Sequence, residues 1–219
     1  MDLVQLMKIR NIMVFFGLLA ACFAQTGEPL KLETRLPGLD LNNLSLADAV
    51  VHVLRYAKIP GGIVREIDCQ EEVKYSFTVT GMTITEALDY LISFDKTYAW
   101  KLEDGAVNLV LSRAIPDLLS IRIDRLLVND KNQSANAVSG TLFSNPKVQA
   151  RAKELMITKG AYYGGLTNPN EPTIKIDLHD VTVQSALNAI ALKHASAVWQ
   201  YSEMHCKTTN EYRIDWVVH

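Results

Sequence analysis

Phe77-Thr78-Val79-Thr80-Gly81-Met82-Thr83-Ile84-Thr85-Glu86-Ala87-Leu88 holds a strand, a turn and the opening of a helix in one short run. Phe77 and Val79 continue from Tyr75 and alternate with Ser76 and Thr78, the period of a strand with one buried face. Thr83-Ile84-Thr85-Glu86 is a full capping box: the hydroxyl accepts from the amide three residues on, and the carboxylate reaches back to the cap amide. Ile84, Ala87, Leu88, Leu91 and Ile92 then recur at helical spacing.

Upstream, Ser45-Leu46-Ala47-Asp48 is a second cap. Leu46, Ala49, Val50, Val53, Leu54 and Ala57 form one apolar helical stripe behind it. Pro60-Gly61-Gly62 is expected to end that helix, and Ile63 to Ile67 to follow as a strand. Downstream, Tyr98 to Leu102 and Ala106 to Val110 flank Asp104-Gly105. An Asp-Gly pair between apolar runs is a hairpin signal, because the turn needs positive φ. Residues 30–112 are therefore expected to run β-α-β-β-α-β-β.

Residues 113–219 repeat that order. Leu119, Ile121 and Ile123 alternate with polar residues and predict a strand; Asn129 to Ser144 is polar and reads as loop. Asn145 caps a helix with Pro146 at its first position, where proline's missing N–H costs nothing; Val148, Ala152, Leu155 and Met156 are its expected stripe. Ala161 to Gly165 is a short strand or turn, and Thr167 to Pro172 a loop. From there the halves align without a gap at an offset of 99: Phe77-Thr78-Val79 falls on Ile176-Asp177-Leu178, Thr83 on Thr182, Ala87-Leu88 on Ala186-Leu187, Trp100 on Trp199. Only four positions of twenty-six are identical, so the order of elements carries the argument. Tyr212, Ile214 and Trp216 alternate in a last strand. The expected fold class is α+β: two similar small units from an internal duplication, short sheets each packed by two helices.

The N-terminus gives an address. Met7-Lys8-Ile9-Arg10 is basic, and Ile12 to Ala21 is an apolar run too short for a span of ~20 residues. This is the layout of a secretory signal peptide over residues 1–24, with Met7 as a second candidate start. Leu19-Ala20-Ala21-Cys22 resembles the bacterial lipoprotein box, in which Cys22 is lipidated. Cys22-Phe23-Ala24 equally suits ordinary cleavage before Gln25. Either route puts the chain outside the cytoplasm, in the periplasm or against the outer membrane, with contact to a membrane only through an anchor at Cys22. Cys69 and Cys206 would remain, and an oxidising compartment allows a disulfide between them.

At ~150 residues per domain, 219 residues hold one large or two small domains. A hydrophobic share of 48% excludes wholesale disorder. The net charge is −2. Losing Lys8, Arg10 and Asp2 leaves −3, which offers no electrostatic reason to bind nucleic acid.

Residues 39–112 resemble the secretin and TonB short N-terminal domain. The resemblance lies in Leu44-Ser45-Leu46-Ala47-Asp48-Ala49-Val50, in Phe77 to Leu88, and in Tyr98-Ala99-Trp100 with Val107-Asn108-Leu109-Val110 behind. It implies a small unit of two helices on short sheets and docking to another envelope protein. These motifs stabilise the fold, and no catalytic residue is among them. The long series of alternating strands of a membrane barrel does not follow in this sequence, so transport is not implied.

Chemistry-bearing patterns are sparse. There is no Gly-x-Ser-x-Gly elbow, Walker loop, His-Glu-x-x-His or dinucleotide fingerprint. Gly61-Gly62 and Gly164-Gly165 read as helix-end and turn residues. Met204-His205-Cys206 with His219 offers soft ligands but lacks the ligand spacing of a zinc site. His194 falls on a helical stripe and reads as a satisfied, partly buried side chain. Glu71-Glu72 and Glu103-Asp104 read as solvated turn charges, and Trp100, Trp199 and Trp216 as core. Tyr162-Tyr163 is the interface candidate, since partly exposed tyrosines favour interfaces. No catalytic, cofactor or metal residue is nominated. The expected function is non-catalytic protein–protein contact in a bacterial envelope assembly. The alternative is a small-ligand binder using the cleft between the halves.

Overall fold

The computed structural model describes residues 30–67, 72–129, 133–160, 172–194 and 197–217. The first half follows the expected order: β1 (Leu39–Leu44), α1 (Leu46–Ala57), β2 (Gly61–Ile67), β3 (Tyr75–Val79), α2 (Ile84–Ile92), β4 (Tyr98–Glu103) and β5 (Ala106–Leu111). Its boundaries are set by local chemistry. Ser45 Oγ accepts from Asp48 N–H at the start of α1. At α2, Thr83 Oγ1 accepts from Glu86 N–H at 3.1 Å and Glu86 Oε2 from Thr83 N–H at 2.7 Å, which closes the capping box. Asp104 and Gly105 take positive φ, 50° and 75°, as a type I′ hairpin demands.

The second half comprises α3 (Asp117–Ser120), β6 (Arg122–Val128), α4 (Ala135–Phe143), α5 (Pro146–Glu154), β7 (Thr158–Lys159), β8 (Ile176–Thr182), α6 (Val183–Lys193), β9 (Val198–His205) and β10 (Asn210–Val217). Several expectations give way here. Leu118 and Leu119 are both buried in a single helical turn behind Pro116, so the strand starts only at Arg122. Residues read as loop contain α4, capped by Ser134 Oγ accepting from Ala137 N–H; its stripe of Ala135, Val138 and Leu142 is masked by Ser139, Gly140 and Thr141 between. Val148 and Ala152 are buried on α5, but the helix stops before Leu155, and Met156, at φ 53°, is 80% exposed. The segment from Ala161 to Glu171 lies outside the described residues.

Strand pairing follows the same plan in both halves. β1 pairs antiparallel with β3, as β6 does with β8. β4–β5 is an antiparallel hairpin with β2 parallel to β5; β9–β10 is an antiparallel hairpin with β7 parallel to β10. The two sets are not separate sheets. β2 runs parallel to β9 from Gly61↔Val198 to Ile67↔Met204, which fuses them in the order β4-β5-β2-β9-β10-β7. With β9 parallel to β2, each strand of the second set runs opposite to its counterpart in the first. The helices of the second half must then fall on the other face of the sheet. They do: Ile63, Val107 and Leu109 face the core under α1 and α2, while Val64, Val110, Trp199 and Tyr201 face the core under α4 and α6.

Gly61 and Gly62, expected at the helix end, are strand residues of β2. α1 ends instead at Lys58, in the left-handed region at φ 54°, with its N–H returned to Arg55 and Leu54 carbonyls. A Cβ on Gly62 would lie 2.0 Å from Trp199 Cζ2, and one on Gly61 2.6 Å from Leu54 Cδ1 and 2.7 Å from Val107 O. Gly62 thus allows close approach at the seam between the halves, and Gly61 close approach of α1 and β5 within the first.

Candidate functional site

Two structural features outside the core invite contact: a polar groove where the halves meet, and the edge of β4, beside which no described strand lies.

The groove is built by strand ends. Glu66, one residue before the end of β2, pairs with Arg113 beyond β5. Facing them, β9 and β10 contribute a chain of hydrogen bonds. Tyr201 Oη–H donates to Glu203 Oε1 at 2.6 Å; Glu203 Oε2 lies 3.2 Å from His205 Nε2; His205 Nδ1 lies 2.7 Å from Asn210 Oδ1. Asn210 Nδ2–H donates to Met156 O at 2.8 Å, so this network also ties β10 to the approach of β7. Burial raises the Tyr201 pKa, and the Glu203 charge beside it adds to that, so the phenol stays protonated and donates. Hollows of about 390 and 340 Å3 flank Arg113; the first is walled by Tyr98 and Lys96, the second by Ile115, Leu155 and His205. Burial pushes the Tyr98 pKa up to about 12, keeping it a neutral hydroxyl. Chemically the network is saturated. Glu203 is held by Tyr201 on one oxygen and His205 on the other, and both imidazole nitrogens are already engaged. The pairings hold strands in register.

The β4 edge is different. Ser112 N–H donates to Thr97 O at 2.8 Å, which fixes the phase of the antiparallel ladder with β5. By alternation, Trp100 and Leu102 turn their N–H and C=O groups away from β5, toward the side where no described strand lies. Leu102 is 51% exposed. Trp100 is half-buried, its Nε1–H donating to Asp89 Oδ1 at 2.7 Å.

The residues singled out from sequence fall as follows. Cys22, Cys69, Tyr162, Tyr163, Glu71 and His219 lie outside the described residues. Cys206 is disulfide-bonded, which removes its thiolate from any metal set. Among the described residues no group of three or more His, Cys, Asp or Glu side chains could hold a metal ion. Glu103 is no solvated turn charge: it accepts from Gln184 Nε2 at 2.8 Å, and Glu103 O from Asn188 Nδ2 at 3.3 Å, so the first hairpin is bound to α6. Trp199 is fully buried and donates Nε1–H to Asn188 Oδ1 at 2.9 Å; Trp216, half-buried, donates to Ser139 Oγ at 2.7 Å. His194 is buried at the end of α6. Sequence reasoning missed Glu203, Asn210 and the Glu66–Arg113 pair, which are separated along the chain and meet only through strand pairing. No helix among the described residues is long and apolar enough to cross a membrane. No family model, no curated protein and no solved structure matches the chain.

Proposed function

We propose that this protein is a non-catalytic, extracytoplasmic docking module of a bacterial envelope assembly, built from two diverged copies of one unit like the short N-terminal domains of secretins and TonB-dependent receptors. The observation that carries the reading is the way its own halves associate. Unit meets unit by strand pairing along a sheet edge, β2 on β9, and along the corresponding edge of the first unit, β4, no strand lies among the described residues. Such an edge is a template for a partner chain. The N-terminal signal pattern supports export, and two shared hydrogen bonds support duplication: Trp100–Asp89 and Trp199–Asn188 have both members displaced by 99 positions.

The test is affinity capture of the tagged protein from its native envelope after mild cross-linking, with the intact mass of the bait. A defined stoichiometric envelope partner is the expected result. A bait recovered alone and strictly monomeric overturns the proposal. The intact mass separates lipidation at Cys22 from cleavage before Gln25. The ligand-binding alternative has one specific observation behind it, the 340 Å3 hollow bordered by both halves; a small molecule that copurifies and raises the melting temperature would favour it.

A further inference from the structure

The outer edges of β4 and β9 are the same edge at two places in the chain, and one of them is occupied. Both strands carry a tryptophan held by an Asx side chain of the helix that precedes the strand, Trp100 by Asp89 of α2 and Trp199 by Asn188 of α6. Beside Trp199 lies β2, parallel to β9, with Gly62 in register with the tryptophan. The indole occupies the space a Cβ on Gly62 would need, and Trp199 is 0% exposed. Beside Trp100 no described strand lies, and the tryptophan is left half-buried. The seam within the chain thus displays the kind of strand that completes such an edge. It is parallel, has glycine where the indole lies, and has β-branched apolar residues next, as in Gly62-Ile63-Val64.

We propose that the outer edge of β4 receives, by parallel strand addition, an extended segment of a partner protein with glycine opposite Trp100 and β-branched residues after it. This rests on the docking reading and names its partner's chemistry. The segment comes from another protein, because the Gly61-Gly62 strand of a second copy is enclosed between its own β5 and β9. Outward N–H and C=O groups of Trp100 and Leu102 supply the ladder, and the glycine lets the incoming backbone reach the indole.

The probe is a blocked, fluorescently labelled peptide of residues 58–67, compared with the same peptide carrying Gly62→Val, each titrated into the whole chain. The Gly62→Val peptide is expected to bind at least about tenfold more weakly, since the added side chain meets Trp100. Residue-resolved amide exchange is expected to slow at least about tenfold at Trp100 and Leu102 on peptide binding. In the protein, Leu102→Pro deletes an N–H that β5 does not use and is expected to weaken binding by a similar factor. Leu102→Lys, which keeps the backbone, controls for folding; it is expected to leave Trp100 amide protection by peptide in place. No binding, equal binding of the two peptides, or protection confined to other strands overturns the proposal. So does self-association of the chain that Leu102→Pro abolishes. Capture of the same envelope partner by wild type and Leu102→Pro would overturn the edge assignment while leaving the docking reading standing. Peptide binding at β4 with a partnerless bait would do the reverse.

Discussion

Gly62 is where a single hydrogen atom is decisive. Gly62→Ala would push a methyl into the Trp199 ring and toward Asn108 Oδ1, 2.7 Å away. Overpacking of this kind costs about 1–3 kcal/mol, and urea denaturation should show a lower midpoint with an unchanged slope; an unmoved midpoint would mean the indole has room to yield. Asp215 makes an opposite case on β10. Burial raises its pKa above the ordinary 3.8, outweighing the attraction of Arg213 and Arg65. A carboxyl raised by the fold favours folding only while protonated, so its contribution is complete below pH 3.8 and is lost as pH rises through the raised value. Asp215→Asn should therefore raise the melting temperature at pH 7 and lose that advantage near pH 3. A lower melting temperature at pH 7 would show that the arginines outweigh burial.

At the level of elements, the helix caps are equivalent across the halves. Thr83 Oγ1 accepts from Glu86 N–H, and Thr182 Oγ1 accepts from Ser185 N–H at 3.0 Å. Only the first has the reciprocal carboxylate. Thr83→Ala and Thr182→Ala should each lower stability by about 1 kcal/mol, with the larger loss at Thr83, where Glu86 also loses its place; thermal melts of the two variants give the order directly. These caps also explain what the letters could convey. The first half was legible because Ser45, Thr83 and Asp104-Gly105 mark nearly every boundary with a residue whose local chemistry allows little else. α4 was not, because Ser139, Gly140 and Thr141 dilute its stripe, and Ser139 is there to accept from Trp216, far away in sequence. Gly61-Gly62 looked like punctuation because the neighbours that require them, Leu54 and Val107 for Gly61 and Trp199 for Gly62, come together only through the fold. The β4 edge was illegible for the same cause: whether a strand has a neighbour is a property of the whole sheet.

Across the whole molecule, the division near Ser112 is a boundary of sequence more than of packing. Val64 and Val110 of the first half are buried in the core of the second, and Val198 of β9 in the core of the first. The six-stranded sheet crosses the division without interruption. A calorimetric melt should show one cooperative transition, and excised residues 30–112 should be much less stable than the same residues in the full chain, with β2 open to aggregation. Two separated transitions, or an excised first half as stable as the parent, would contradict a shared core.

The pairing of Gly61 with Val198 spans 137 positions. At ribosomal rates of ~5–20 residues per second, β2 waits roughly 7–27 s for the strand that completes it. Throughout that interval the nascent first half has the apolar seam along β2 uncovered, and its sheet stays incomplete until β9 is synthesised. The clock for completing the sheet is thus set by the arrival of the β9–β10 hairpin, the last part of its own fold that β2 needs.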